Sequence, residues 1–131
     1  MKAKQEWLDC ALEALDKAYV PYSKFPVGAC LVTDEGEIYQ GVNIENASFG
    51  LTNCAERTAI FKAVSEGKRN FSYLVVSGHT PEPISPCGAC RQVLVEFCDP
   101  NMPVMLLGDN GVQKETTVGE LLPYYFTSKD L

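Results

Sequence analysis

Tyr73-Leu74-Val75-Val76-Ser77-Gly78 is an apolar run of strand length, and the residues after it decide the fold. A loop from His79 to Ser85 carries two prolines. It leads into Ser85-Pro86-Cys87-Gly88-Ala89-Cys90, where Ser85 suits a helix N-cap and Pro86 the first helical position of a helix reaching Phe97. Pro103-Val104-Met105-Leu106-Leu107 then reads as another strand. Upstream, Cys54 to Val64 predicts a helix with Ala55, Ala59, Ile60 and Ala63 on one face and Gly67 as its stop. Before it, Val27 to Thr33, a turn at Asp34-Glu35-Gly36 and the alternating Glu37 to Val42 predict a β-hairpin. Asn43 to Asn53 is polar and small, a loop. Trp7, Leu8, Ala11, Leu12, Leu15 and Ala18 give Glu6 to Tyr19 helical periodicity, which Pro21 ends. Downstream, Asp109-Asn110-Gly111 predicts a turn and Thr117 to Leu122 a short helix. Strands alternating with helices imply an α/β sandwich around one sheet.

At 131 residues, one domain spanning 1–131 is expected. Hydrophobic residues at 46% and charged residues at 21% mark a globular chain, and one of this length buries a core without disulfides. Eleven Lys and Arg against seventeen Asp and Glu leave a net charge of -6, which argues against nucleic-acid partners. No run of about 18 apolar residues predicts a membrane span. The polar opening Met1-Lys2-Ala3-Lys4-Gln5-Glu6-Trp7 lacks the apolar core of a signal peptide, so a cytoplasmic protein is expected.

Six cysteines in such a setting point to metal or redox chemistry rather than a disulfide framework. The single histidine, His79, excludes a His-rich metal site, so any zinc is held mostly by sulfur. Cys54-Ala55-Glu56 and Pro86-Cys87-Gly88-Ala89-Cys90 each fall at the start of a predicted helix. There, unpaired amides and the positive end of the macrodipole favour thiolates. Cys87 and Cys90 are three apart and point to one side. Cys54 would complete a three-sulfur zinc site with one open position, the arrangement of a catalytic zinc. Zinc lowers the pKa of a bound water to about 7, and Glu56, two residues past Cys54, is placed to move protons without being a ligand. Arg57 is the cation that would draw charge off the thiolates; its ordinary alternative is a surface ion pair.

A lone Cys87-Gly88-Ala89-Cys90 is also compatible with a thioredoxin-like redox pair. Cys54-x-Glu56 and the preceding Pro86 argue against that. A purely structural zinc would need a fourth protein ligand, for which His79 is the candidate. Cys10, Cys30 and Cys98 read as small buried hydrophobes. Taken alone, Phe25 would be an ordinary core aromatic, and Asn43 and Glu45 loop polars.

The two cysteine motifs follow the pattern of zinc deaminases. With Pro21-Tyr22-Ser23-Lys24-Phe25, Asn43-Ile44-Glu45-Asn46, Cys54-Ala55-Glu56-Arg57-Thr58-Ala59, Pro86-Cys87-Gly88-Ala89-Cys90-Arg91-Gln92 and Leu121-Leu122-Pro123, nearly the whole chain resembles the short, homotetrameric cytidine deaminases. The resemblance implies a three-layer α-β-α sandwich around a mixed five-stranded sheet. It also implies one Zn2+ per subunit on Cys54, Cys87 and Cys90, and deamination of cytidine and deoxycytidine in pyrimidine salvage. Glu56 would carry the protons. Asn43 and Glu45 would hold the ribose 3′-hydroxyl, Phe25 would pack on the pyrimidine, and the main chain near Ala55 and Ser85 would read the base edge. Phe126 would reach the site of a neighbouring subunit. Phe49 departs from the pattern, standing where many members carry Tyr. A blasticidin S-type deaminase would share the metal motifs without the Asn43-x-Glu45 sugar reader. A deoxycytidylate deaminase would need cations for the phosphate where this chain has Glu45.

Overall fold

The computed structural model describes residues 2–131; Met1, of the polar opening stretch, lies outside them. The elements run α1 Gln5–Ala14, β1 Val27–Thr33, β2 Ile38–Val42, α2 Ala55–Ser65, β3 Phe71–Gly78, α3 Gly88–Phe97, β4 Pro103–Leu107, β5 Gln113–Thr117 and α4 Val118–Leu121. The five strands form one sheet in the order β2-β1-β3-β4-β5. Only β3 and β4 are parallel, joined through α3; the other pairs are antiparallel, which makes the sheet mixed.

Period-2 alternation splits the apolar strand residues between two faces. Ala29, Leu31, Leu74, Val76, Val104 and Leu106 face α2, α3 and α4. Cys30, Val32, Tyr73, Val75, Met105 and Leu107 face Trp7 and Ala11 of α1. The result is three layers, helix, sheet and helices. The register between β1 and β3 shifts between Val32 and Thr33, which pair with Tyr73 and Phe71. The shift lets Phe71 join the α2 side although Tyr73 faces α1.

Two glycines let helices sit close on the sheet. A Cβ at Gly28 would stand 2.9 Å from the Ala14 Cβ of α1, and one at Gly41 2.6 Å from the Ala59 amide of α2. Ser77, fully buried on β3, donates its hydroxyl to the Ala11 carbonyl at 2.7 Å and ties α1 to the sheet.

Two expectations shift, and one strand lies where the sequence predicted no element. The first helix ends at Ala14, followed by a 3-10 turn over Leu15–Lys17, because the chain must turn towards Tyr19, whose N–H donates to the Asn43 carbonyl. The helix of the cysteine pair starts at Gly88, not Pro86. Cys87, not Ser85, is its N-cap and accepts the Cys90 N–H at 3.4 Å. Strand β5 has no apolar signature: Gln113-Lys114-Glu115-Thr116-Thr117 is an edge strand, mostly solvent-facing and paired only with β4.

Candidate active site

Cys54 caps α2 without spending its sulfur on the helix amides. Cys87 caps α3, and Cys90 follows one turn on, buried. The two helix starts meet. The Cys54 and Cys87 sulfurs stand 3.7 Å apart, those of Cys87 and Cys90 3.4 Å, and all three lie within 4.8 Å of one another. Tetrahedral zinc with Zn–S bonds near 2.3 Å needs sulfurs about 3.8 Å apart, so the group fits a soft divalent metal with one position left for a small ligand. No other group of three metal-binding side chains occurs among the described residues. His79 is not part of it: its Nδ1 pairs with Asp109 at 3.2 Å, and it lines a separate groove against α1.

Arg57 projects from the first turn of α2 and donates from Nη2 to the Cys54 sulfur at 3.3 Å. The Cys54 thiol is pulled down to about 5. The neighbouring Cys90 thiol, first, and then the guanidinium of Arg57 favour its thiolate, against the cost of burial. Cys90 moves the other way, as the thiol that faces Cys54 and as a buried one. Glu56 is 3% exposed, and its Oε1 has no hydrogen-bond partner. Burial raises its pKa, so the neutral form is favoured more than in water. An unpartnered carboxyl oxygen this deep is costly, and Glu56 lines a cavity where a polar ligand can pair with it.

These groups open on a cavity of about 450 Å³ that is lined by Phe25, Asn43, Cys54, Glu56, Ser85 and Cys87, among others. Of the residues expected at the site, these six are thus brought together. Ala55 is fully buried at the start of α2 beside them. Glu45 is outside the cavity lining; its carboxylate accepts the N–H groups of Tyr22 and Ser23 at 3.1 Å and the Ser23 hydroxyl. The Asn43 amide is also engaged, accepting from the Val27 N–H and donating to the Phe25 carbonyl, both at 2.9 Å. Phe126 is 58% exposed and does not line its own chain's cavity; its carbonyl accepts from Gln92 at 3.0 Å. Phe49, 80% exposed in a 3-10 turn, is also away from it.

Sequence reasoning missed Arg91. Its guanidinium donates to the carbonyls of Pro86 at 2.9 Å and Leu121 at 2.7 Å and to the Ser85 hydroxyl at 2.6 Å, holding the cavity wall. A buried-side arginine directly after Cys90 was the available signal. Thr58 was passed over too. It donates to the Cys54 carbonyl at 3.2 Å and accepts from Asn53 at 3.0 Å, steadying the first ligand position.

Comparison with known proteins agrees with this site. Residues 1–106, which include all three clustered cysteines, match the family model described as the cytidine and deoxycytidylate deaminase zinc-binding region. The chain is 58% identical over 119 residues to a cytidine deaminase of Sporosarcina psychrophila, covering 91% of this chain and 88% of the relative. It is 53% identical over 121 residues to a cytidine deaminase of Halalkalibacterium halodurans, covering 92% of each. The crystal structure of cytidine deaminase from Burkholderia pseudomallei superposes with a TM-score of 0.92 at 47% identity, over 95% of this chain and all of that one. Zinc is therefore the metal that the three sulfurs suit, and the chain belongs to the cytidine and deoxycytidylate deaminase zinc-binding family.

Proposed function

We propose that this protein hydrolyses cytidine and deoxycytidine, with water, to uridine or deoxyuridine and ammonia. The observation that carries the reading is one cavity lined by Cys54 and Cys87, two of three clustered sulfurs, together with Glu56, a buried carboxyl with a free oxygen. Zinc on Cys54, Cys87 and Cys90 would supply a water activated as a nucleophile near neutral pH.

The protein's own groups do the rest. Glu56 takes one proton from the attacking water and passes it to N3 of the base, then takes the second from the hydroxyl newly bound at C4 and passes it to the departing amine. Its raised pKa suits a group that must hold a proton between the two events. Arg57, on the Cys54 sulfur, withdraws charge from a thiolate set that would otherwise weaken the metal as a Lewis acid. Phe25 offers its ring to the pyrimidine, and the main chain near Ala55 and Ser85 reads the polar base edge. Asn43 and Glu45 contact the ribose 3′-hydroxyl with the capacity their other bonds leave, the second amide N–H of Asn43 and a remaining carboxylate lone pair of Glu45.

The partner implied besides substrate is the chain itself, as a homotetramer. Phe49, Leu51, Tyr124 and Phe126 are large apolar side chains left exposed, the kind of surface that subunit contact covers. Phe126 then completes a neighbour's cavity rather than its own. No described helix is long and apolar enough to cross a membrane, and six unpaired thiols suit the reducing cytoplasm in which we place the enzyme.

Ultraviolet absorbance of cytidine incubated with the zinc-loaded protein tests the reaction. Steady conversion to uridine at catalytic protein concentration is expected. An unchanged spectrum with folded, zinc-loaded protein would overturn the reading.

A further inference from the structure

Phe25 stands at the cavity with both of its main-chain polar atoms held by side chains. Its N–H donates to Ser23 Oγ at 3.0 Å, and its carbonyl accepts from Asn43 Nδ2 at 2.9 Å. The Ser23 hydroxyl donates in turn to Glu45 Oε2, while Glu45 Oε1 accepts the N–H groups of Tyr22 and Ser23. Lys24, between Ser23 and Phe25, has φ 59°, a left-handed conformation that lysine disfavours. Such a turn persists where its surroundings over-determine it.

The far side of this arrangement is rigid. Asn43 and Glu45 are two residues apart on extended chain and so share a face. Ile44 between them is paired with Asn53: its N–H donates to the Asn53 carbonyl at 2.9 Å, and its carbonyl accepts the Asn53 N–H at 3.0 Å. Tyr19 brackets the same stretch, donating to the Asn43 carbonyl at 3.0 Å and accepting from the Glu45 N–H at 2.9 Å. A serine hydroxyl has one hydrogen to give. Ser23 gives it to the carboxylate and therefore meets Phe25 as an acceptor, so one oxygen joins the anchored carboxylate to the Phe25 main chain.

We propose that Ser23 is a positioning residue for nucleoside binding: its hydroxyl relays the fixed position of Glu45 to the Phe25 amide and presets the aromatic wall for the base. The inference rests on the cytidine reading of the site. A ring on an already ordered loop loses less freedom when ligand arrives, and the difference appears as affinity. The effect falls on binding because Cys54, Glu56 and Cys87 sit on the starts of α2 and α3, outside the 22–25 turn.

The test compares zinc-loaded wild type, Ser23→Ala and Ser23→Thr. Amide hydrogen exchange at Phe25, without substrate, reads the relay: protection in wild type and Ser23→Thr, lost in Ser23→Ala. With cytidine, Ser23→Ala raises KM roughly tenfold, the equivalent of about one hydrogen bond, while kcat stays within about twofold and Ser23→Thr recovers KM. Inhibition by uridine and by 3′-deoxyuridine weakens by the same factor in Ser23→Ala, since the lost contact acts at the base. Equal Phe25 protection in all three proteins, an unaltered KM, a fall in kcat alone, or weakening of uridine without 3′-deoxyuridine would each overturn the proposal. A wild-type protein inert towards cytidine overturns the cytidine reading instead, and the exchange measurement separates that failure from failure of the relay.

Discussion

Gly41 of β2 faces the first turns of α2 so closely that any Cβ there would stand 2.6 Å from the amide nitrogen of Ala59. The gap also admits the Ala55 carbonyl, so the start of α2, which carries Cys54 and Glu56, is seated by the absence of a side chain on the neighbouring strand. Gly41→Ala is expected to cost about 1–3 kcal/mol by overpacking and to lower metal retention, because α2 must back away from the sheet. Urea denaturation and zinc analysis check this; full stability with full zinc would mean that the helix can shift freely.

Glu56→Gln removes the carboxyl proposed to carry protons and leaves the three sulfurs untouched. Zinc content should match wild type while turnover falls by roughly 10²–10⁴-fold, the usual weight of general acid–base catalysis. Zinc loss, or a rate near wild type, would contradict the role assigned to Glu56.

Cys87 serves two purposes, as a clustered sulfur and as the N-cap of α3. Cys87→Ala should abolish zinc binding and activity. Cys87→Ser should also lose the metal, since a hydroxyl is a poor substitute for thiolate, yet keep about 1 kcal/mol more stability than Cys87→Ala in the metal-free state through its cap. Metal-free melting curves of the two variants distinguish the roles.

Arg57→Ala should lower kcat by about tenfold while zinc remains bound, as loss of a hydrogen-bond donor to a metal ligand commonly does. The measurement is kcat beside zinc content; an unaltered rate would reduce Arg57 to a packing residue.

Glu45 offers a test by pH. The Ser23 hydroxyl, then the backbone N–H groups of Ser23 and Tyr22, hold its carboxyl below the usual carboxylate range. A carboxylate with a lowered folded pKa contributes its stabilisation above its unfolded pKa, about 4.3, and loses it as pH falls through the folded value. The 22–25 turn should therefore survive through the ordinary glutamate range and loosen only below it. Carbon-13 titration of Glu45 should show the low midpoint in wild type and a rise towards the ordinary value in Ser23→Ala.

The apolar strands were legible because burial on both faces leaves an unbroken run: Val27–Thr33 and Pro103–Leu107 stand as their residues predict. Strand β5 was not, since an edge strand needs only a backbone ladder and Gln113-Lys114-Glu115-Thr116-Thr117 reads as polar loop. The start of α3 moved from Pro86 to Gly88 because a cysteine sulfur took the capping role usually held by an oxygen. Motif spacing located the sulfurs and Glu56. It could not reveal that Asn43 and Glu45 already hold the loop bearing Phe25, because those bonds join segments about twenty residues apart.

The sulfurs of Cys54 and Cys87 are 3.7 Å apart in space and 33 residues apart along the chain. A metal that grips both is a cross-link as well as a reagent: it pins the two helices that flank the reaction and closes a long loop that the unfolded chain would otherwise leave open. Metal supply thereby becomes a variable of folding, and the melting temperature should climb with free zinc until the site saturates. A cell short of zinc would lose this protein to unfolding and proteolysis as well as to idleness, so its abundance would report metal status.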